Sequence, residues 1–186
     1  MSDLILVTGG ARSGKSSFAE MKAATFSEHV LYIATAECSD AEMAERIRKH
    51  QEARPKAWKT IERYSDFKQL EQQQDFLTAE ILLLDCLSLM LNNWMYYSKL
   101  NFENASFDLF DDFEEAFLAE IGNLISLCQE KNKKMIMVTN EIGMGLVPAD
   151  AASRYYRDML GRANKWVATL ADEVFLLISG IPVKIK

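Results

Sequence analysis

Cysteine, histidine and proline are scarce in this sequence of 186 residues, and each scarcity excludes something. The three cysteines, Cys38, Cys86 and Cys128, are odd in number and widely spaced, with no C-x-x-C pair. Neither a disulfide framework nor a zinc site is expected. No apolar run approaches the ~18 residues that span a bilayer. No basic flank leads from Met1-Ser2-Asp3 into a long apolar core, so no secretory signal is read. The expected compartment is a reducing cytoplasm. An excess of basic charge is also missing. The chain has 27 acidic and 21 basic residues, a formal charge of -6, which disfavours a nucleic-acid backbone as partner. Only 3 prolines and 8 glycines occur, and no repeat, low-complexity tract or linker divides the chain. Residues 1–186 read as one domain on length.

What is present is ordinary for a globular protein: 49 % apolar and 26 % charged residues, which excludes bulk disorder and collagen-like repeats. The acidity is local. Glu103, Asp108, Asp111, Asp112, Glu114 and Glu115 fall in residues 101–115 without a Lys or Arg, and removing these six leaves 21 acids against 21 bases. That stretch reads as a solvated surface segment.

Short apolar runs alternate with longer helical patterns. The runs are Leu4–Thr8, Val30–Ala34, Ile81–Leu84, Met135–Thr139 and Val174–Ile178. The helical patterns are Ser16–Phe26, Asp40–Glu52, Leu87–Tyr97, Phe113–Glu130 and Ser153–Ala171. Runs that are apolar throughout predict strands buried on both faces. Their alternation with helices predicts an α/β fold with a mostly parallel central sheet flanked by helices. Ligands bind beyond the carboxyl ends of such strands, which directs attention to residues 9–16, Thr35, Asp85 and Asn140-Glu141.

Gly9-Gly10-Ala11-Arg12-Ser13-Gly14-Lys15-Ser16 fits G-x-x-x-x-G-K-[ST] between a strand and a helix, the context this phosphate loop requires. Glycines let backbone N–H groups curl around phosphate oxygens, and the helix N-terminus adds a favourable dipole. Lys15 is expected to reach the β- and γ-phosphates, with the Ser16 hydroxyl on Mg²⁺. Asp85, which ends the run Ile81-Leu82-Leu83-Leu84, is the expected second magnesium anchor. The pattern predicts a nucleoside triphosphate and is silent about the reaction. A regulatory GTPase is disfavoured, because Asn132-Lys133 and Asn164-Lys165 both lack the Asp of N-K-x-D. Asp158-Met159-Leu160-Gly161 matches D-x-x-G only inside a helical pattern. A small-molecule kinase or a nucleotidyltransferase remains.

The two histidines are His29 and His50. His29 precedes the second strand and reads as a surface turn residue. His50 lies late in a helical pattern opened by Ser39-x-x-Glu42, a capping box, on one face with Met43 and Ile47. Residue type and spacing leave two readings for it: a core histidine satisfied by a hydrogen bond, or a nucleophile that attacks phosphorus.

Further matches run in order along the chain. They are Tyr32-Ile33-Ala34-Thr35-Ala36, Arg46-Ile47-x-x-His50 with Arg54-Pro55-x-x-Trp58 and Glu62, and Leu84-Asp85-Cys86-Leu87 with Asn92-Asn93. Thr139-Asn140-Glu141-Ile142-Gly143-Met144-Gly145 with Val147-Pro148 follows, then Tyr156-Arg157-Asp158-x-x-Gly161-x-x-Asn164 and Ser179-Gly180-Ile181-Pro182. Together with the phosphate loop they make the chain resemble the bifunctional adenosylcobinamide kinase/adenosylcobinamide-phosphate guanylyltransferase family over nearly its whole length.

The resemblance implies two reactions of cobalamin synthesis. The first phosphorylates adenosylcobinamide from ATP or GTP. The second joins GMP from GTP to adenosylcobinamide-phosphate, through a guanylylated His50, and releases pyrophosphate. It also implies nucleotide contacts at Gly9, Gly10, Ala11, Arg12, Ser13, Gly14, Lys15 and Ser16, at Ala34, Thr35 and Ala36, at Gln51, Glu52, Ala53 and Arg54, and at Glu62 and Asp85. A homotrimer is implied by the same likeness. Arg54 suits a phosphate clamp by its planar fork. The stripe Leu87, Met90, Leu91 and Trp94 reads as core or subunit contact. Two departures stand out: Gln51 replaces a basic residue frequent after the histidine, and residues 99–112 match no family motif and read as a variable acidic loop. A kinase that has lost guanylyl transfer, and a nucleotide-binding module without turnover, are the competing readings. The retained His50 argues against the first, and Lys15, Ser16 and Asp85 together against the second.

Overall fold

The computed structural model describes residues 3–36, 54–103 and 107–186. The helix expected over 40–52, its capping box, Cys38, His50, Gln51, Glu52 and Ala53 lie outside the described residues.

Each apolar run becomes a strand. The elements in order are β1 (Leu4–Gly9), α1 (Lys15–Phe26), β2 (Val30–Ala34), β3 (Lys59–Glu62), a 3-10 segment (Phe67–Gln72), α2 (Gln74–Thr78), β4 (Ile81–Asp85), α3 (Leu87–Ser98), α4 (Phe107–Glu130), β5 (Lys134–Val138), α5 (Ala151–Leu170), β6 (Glu173–Ile178) and β7 (Ile181–Lys184). The strands form one sheet in the order β3-β2-β4-β5-β1-β6-β7. Every pairing is parallel except β6 with β7. The expected α/β architecture with a mostly parallel sheet is therefore what the chain adopts.

The pleat sends alternate residues of β1 to opposite faces. Leu4 and Leu6 join the face covered by α3, α4 and α5, where Met90, Phe117, Ile121, Leu160 and Val167 are buried. Ile5 and Val7 join the face covered by α1, with Ala19, Ala23, Leu83 and Val138. Burial on both faces explains the unbroken apolar runs. The stripe Leu87, Met90 and Leu91 is core, with Trp94 packed edge-on against Phe113 and Phe117.

Three readings need correction. Residues 99–112 are not a loop throughout: α4 begins at Phe107, six residues before its expected start at Phe113. Nor is the 101–115 stretch wholly solvated, because Phe102 and Phe113 are buried and stack in a cluster with Phe110 and Tyr155. Five of its six acids are exposed, Glu114 is half-buried against Arg162, and aromatic spacing pulls the other face in. Finally, two strands escaped the apolar pattern. β3 is polar and largely exposed at the sheet edge, and β7 is exposed along its whole length.

Candidate active site

The sheet register brings the expected residues to one level. Ala34 pairs with Glu62 on one side and with Asp85 on the other. These residues end three adjacent strands at the carboxyl edge. Thr35 and Ala36 follow directly, and the phosphate loop leaves the same edge from β1.

The phosphate loop is built by close packing. A Cβ on Gly9 would fall 2.4 Å from the Leu177 carbonyl oxygen, and the residue sits at φ +149°. Only glycine fits there. Gly14 caps α1 in a left-handed conformation, and no side chain caps the helix. The first-turn N–H groups of α1 are therefore left for an anion, as a helix N-terminus favours. The hairpin between β6 and β7 braces the loop, with Gly180 N donating to Ser13 O at 2.9 Å. The Ser13 hydroxyl is buried, with no hydrogen-bond partner among the described residues.

Lys15 is buried, and its Nζ donates to Gly10 O at 2.6 Å. Desolvation pulls the ammonium below the ordinary lysine pKa, and the neighbouring Cys86 and Asp85 oppose the pull. Ser16 is half-buried in the first turn of α1.

Asp85 is held in place by a residue that the sequence reading quoted without a role. Tyr32 donates its hydroxyl to Asp85 Oδ2 at 2.7 Å. Burial first, and then the Asp85 charge, push the Tyr32 phenol well above its ordinary pKa, so it stays a donor. The peptide that follows Asp85, to Cys86, is cis. Thr35 clasps it: its Oγ1 donates to Cys86 O and accepts from Cys86 N, both at 2.7 Å. Asn93 Nδ2 in turn donates to Thr35 O at 2.7 Å.

Arg54 lies with its guanidinium 3.3 Å from the centre of the Tyr32 ring and its Nε donating to Glu20 at 3.0 Å. Its side chain is nearly buried. Glu62 is exposed at the end of β3. His29 is exposed, as expected, and its carbonyl accepts from Glu80 N and Ile81 N.

A second network went unread in the sequence. Ser88 bonds Cys86 Sγ at 2.9 Å, accepts from Asn140 Nδ2 at 2.7 Å, and offers its carbonyl to the Tyr156 hydroxyl at 2.8 Å. Asn164 spans Thr139 Oγ1 and Asn140 O. The network ties β4, the loop after β5, and α5 together. Its members Thr139, Asn140, Tyr156 and Asn164 stand in the quoted motifs, and Ser88 is a polar residue within the apolar face of α3, but nothing in the sequence showed that they meet.

Oxygen donors such as Asp85 and Ser16 suit Mg²⁺. Among the described residues no group of three or more His, Cys, Asp or Glu side chains could hold a metal. That donor set fits a magnesium ion bound mostly through nucleotide phosphates, with one carboxylate and one hydroxyl from the protein. Among the same residues, no helix is long and apolar enough to cross a membrane.

A family model described as cobinamide kinase / cobinamide phosphate guanyltransferase matches residues 5–185. The chain is 44 % identical over 183 residues to the bifunctional adenosylcobalamin biosynthesis protein CobU of Escherichia coli (strain K12), across 98 % of this chain and 99 % of the relative. It is 42 % identical to the CobU of Salmonella typhimurium over the same shares. It is 36 % identical to the bifunctional protein CobP of Pseudomonas aeruginosa, across 100 % of this chain and 98 % of that relative. Among solved structures, the flagellar accessory protein FlaH of Methanocaldococcus jannaschii aligns at 16 % identity with a TM-score of 0.47, over 99 % of this chain and 78 % of that one.

Proposed function

Since the chain belongs to the cobinamide kinase / cobinamide phosphate guanyltransferase family, we propose that it is a bifunctional enzyme. It phosphorylates adenosylcobinamide from ATP or GTP and then transfers GMP from GTP to adenosylcobinamide-phosphate. The observation that carries this reading is the carboxyl edge of the sheet, where Glu62, Ala34 and Asp85 stand in one row and Lys15 of the phosphate loop lies close enough to Asp85 to feel its charge.

In the kinase step the aminopropanol hydroxyl oxygen bonds to the γ-phosphorus, the bridging P–O bond to the nucleoside diphosphate breaks, and the hydroxyl proton leaves. This chemistry asks mainly for positioning and neutralised charge. Lys15, the loop amides and the α1 N-terminus supply both. Mg²⁺, when bound by Ser16, Asp85 and the phosphates, adds positive charge to the phosphate oxygens. Tyr32 orients the Asp85 carboxylate, and Thr35 fixes the backbone that carries it.

In the second step a neutral His50 imidazole nitrogen bonds to the α-phosphorus of GTP as pyrophosphate departs. A phosphate oxygen of adenosylcobinamide-phosphate then bonds to that phosphorus, breaking the N–P bond and restoring the imidazole. Splitting the displacement lets one pocket serve two bulky substrates in turn. Gln51, Glu52, Ala53 and Arg54 complete the proposed nucleotide contacts. Arg54, seated between Glu20 and the Tyr32 ring, is their cation. The finer expectations are a homotrimer and a cytoplasmic location; sedimentation of the purified protein tests the first.

The test of the reaction uses Mg²⁺ and GTP labelled at the α- or the γ-phosphate, followed by denaturation. An acid-labile label from α-GTP alone, absent in His50→Ala, is the expected result. No α-label, with γ-phosphate still reaching adenosylcobinamide, would leave a kinase alone and return His50 to a core role.

A further inference from the structure

Loop 140–149, between β5 and α5, is fastened at both ends yet displays apolar side chains. Its root lies beside the phosphate loop: Glu141 N donates to Gly9 O at 3.0 Å. Asn140 is held by Ser88 and Asn164, and Gly143 N donates to Glu141 Oε1 at 2.6 Å. At the far end Arg154 donates to Pro148 O at 3.1 Å, and Asp150 caps α5. Between these fixed points Met144, Leu146 and Val147 are 84 %, 96 % and 67 % exposed. The chain's own core takes nothing from them.

Gly145 sits among the three, and a Cβ added to it would meet nothing within 4 Å. No positive φ requires a glycine there. No clash among the described residues requires the glycine, and its missing side chain leaves room for a flat ligand against the loop. The root of the loop, at Glu141, is one hydrogen bond from Gly9 at the start of the phosphate loop. Of the substrates in the proposed reactions, the nucleotide brings its phosphates to that loop. The cobinamide acceptor brings a broad, methyl-studded macrocycle too large for the phosphate cradle.

We propose that Met144, Leu146 and Val147, with Gly145 between them, form the apolar seat of the corrin macrocycle and hold its aminopropanol arm toward the phosphate loop. The proposal rests on the bifunctional reading above.

The test uses the full chain with Leu146→Ser/Val147→Ser and, separately, Gly145→Leu. All three positions are exposed, so neither variant disturbs the core. Cobinamide binding is followed by equilibrium dialysis through the visible absorbance of the corrin, and KM is measured for both substrates. Loss of the apolar contact should raise the cobinamide Kd and KM about tenfold or more in both variants. The KM for GTP, the α-label taken up from GTP without acceptor, and the sedimentation coefficient should stay at wild-type values. Unchanged cobinamide affinity in both variants would overturn the proposal. So would altered sedimentation with unchanged cobinamide affinity, which would assign the loop to contact between copies of the chain. If the wild-type protein neither binds nor phosphorylates cobinamide, the functional reading itself fails, a result distinct from both.

Discussion

A carboxylate at a strand end can rotate, and a metal site needs it still. Tyr32 provides that restraint by giving its hydroxyl to one Asp85 oxygen, while the Arg54 guanidinium lies against its ring. Tyr32→Phe should keep the fold and lose a charge-assisted bond, destabilising the protein by about 1–3 kcal/mol in urea unfolding. Because Asp85 is read as a magnesium anchor, the same variant should need more Mg²⁺ for half-maximal GTP binding, while metal-free nucleotide binding stays put. An unchanged magnesium midpoint would restrict Tyr32 to a structural role. The described cysteines are the opposite kind of residue. Cys86 and Cys128 are buried, and desolvation lifts their thiols to about 11 and about 12. The thiolate is the reactive form. In a Cys38→Ser variant, a neutral thiol titration should find no reactive group in the native protein and two after denaturation.

At the scale of elements, α5 shows how local chemistry sets a boundary. Asp150 accepts from Ser153 N at 2.7 Å and so satisfies one free N–H at the helix start. That hydrogen bond from the Ser153 backbone N–H holds the Asp150 carboxyl below its ordinary pKa. A depressed carboxylate pKa stabilises the fold above the ordinary value and loses that contribution as pH falls through the depressed one. The melting temperature of Asp150→Ala should therefore lie below that of the wild type at neutral pH, with the gap closing in strong acid. Equal gaps at both pH values would mean the cap acts without its charge. The elements also mark what the sequence could tell. β1, β2, β4 and β5 were legible because burial on both faces makes their residues apolar without interruption, and β6 reads as apolar too although only Val174 and Leu177 of it are buried. β3 and β7 were not, since edge strands are chosen by backbone pairing, which leaves no side-chain pattern in Lys59–Glu62 or Ile181–Lys184. The phosphate loop was legible because its glycines are forced by contacts as close as that of Gly9 with Leu177. The roles of Tyr32, Ser88 and Asn164 were hidden, because each acts through a partner distant in sequence.

At the scale of the whole molecule, stability comes from two cores separated by the sheet. Leu83, fully buried beneath α1, and Leu170, half-exposed at the end of α5, form a contrast. Leu83→Ala should cost about 2–5 kcal/mol, and Leu170→Ala within about 0.5 kcal/mol. Comparable losses at the two positions would refute the core assignment. The order of the strands also has a consequence for how the protein is made. β1, which carries the phosphate loop, is synthesised well before its neighbours in the sheet, β5 and β6. Leu4 must wait for Met135, and Gly9 for Leu177. During synthesis the apolar run Leu4–Val7 therefore stays without its sheet partners until β5 and β6 have been made, and the loop that follows it stays without its brace from the β6–β7 hairpin.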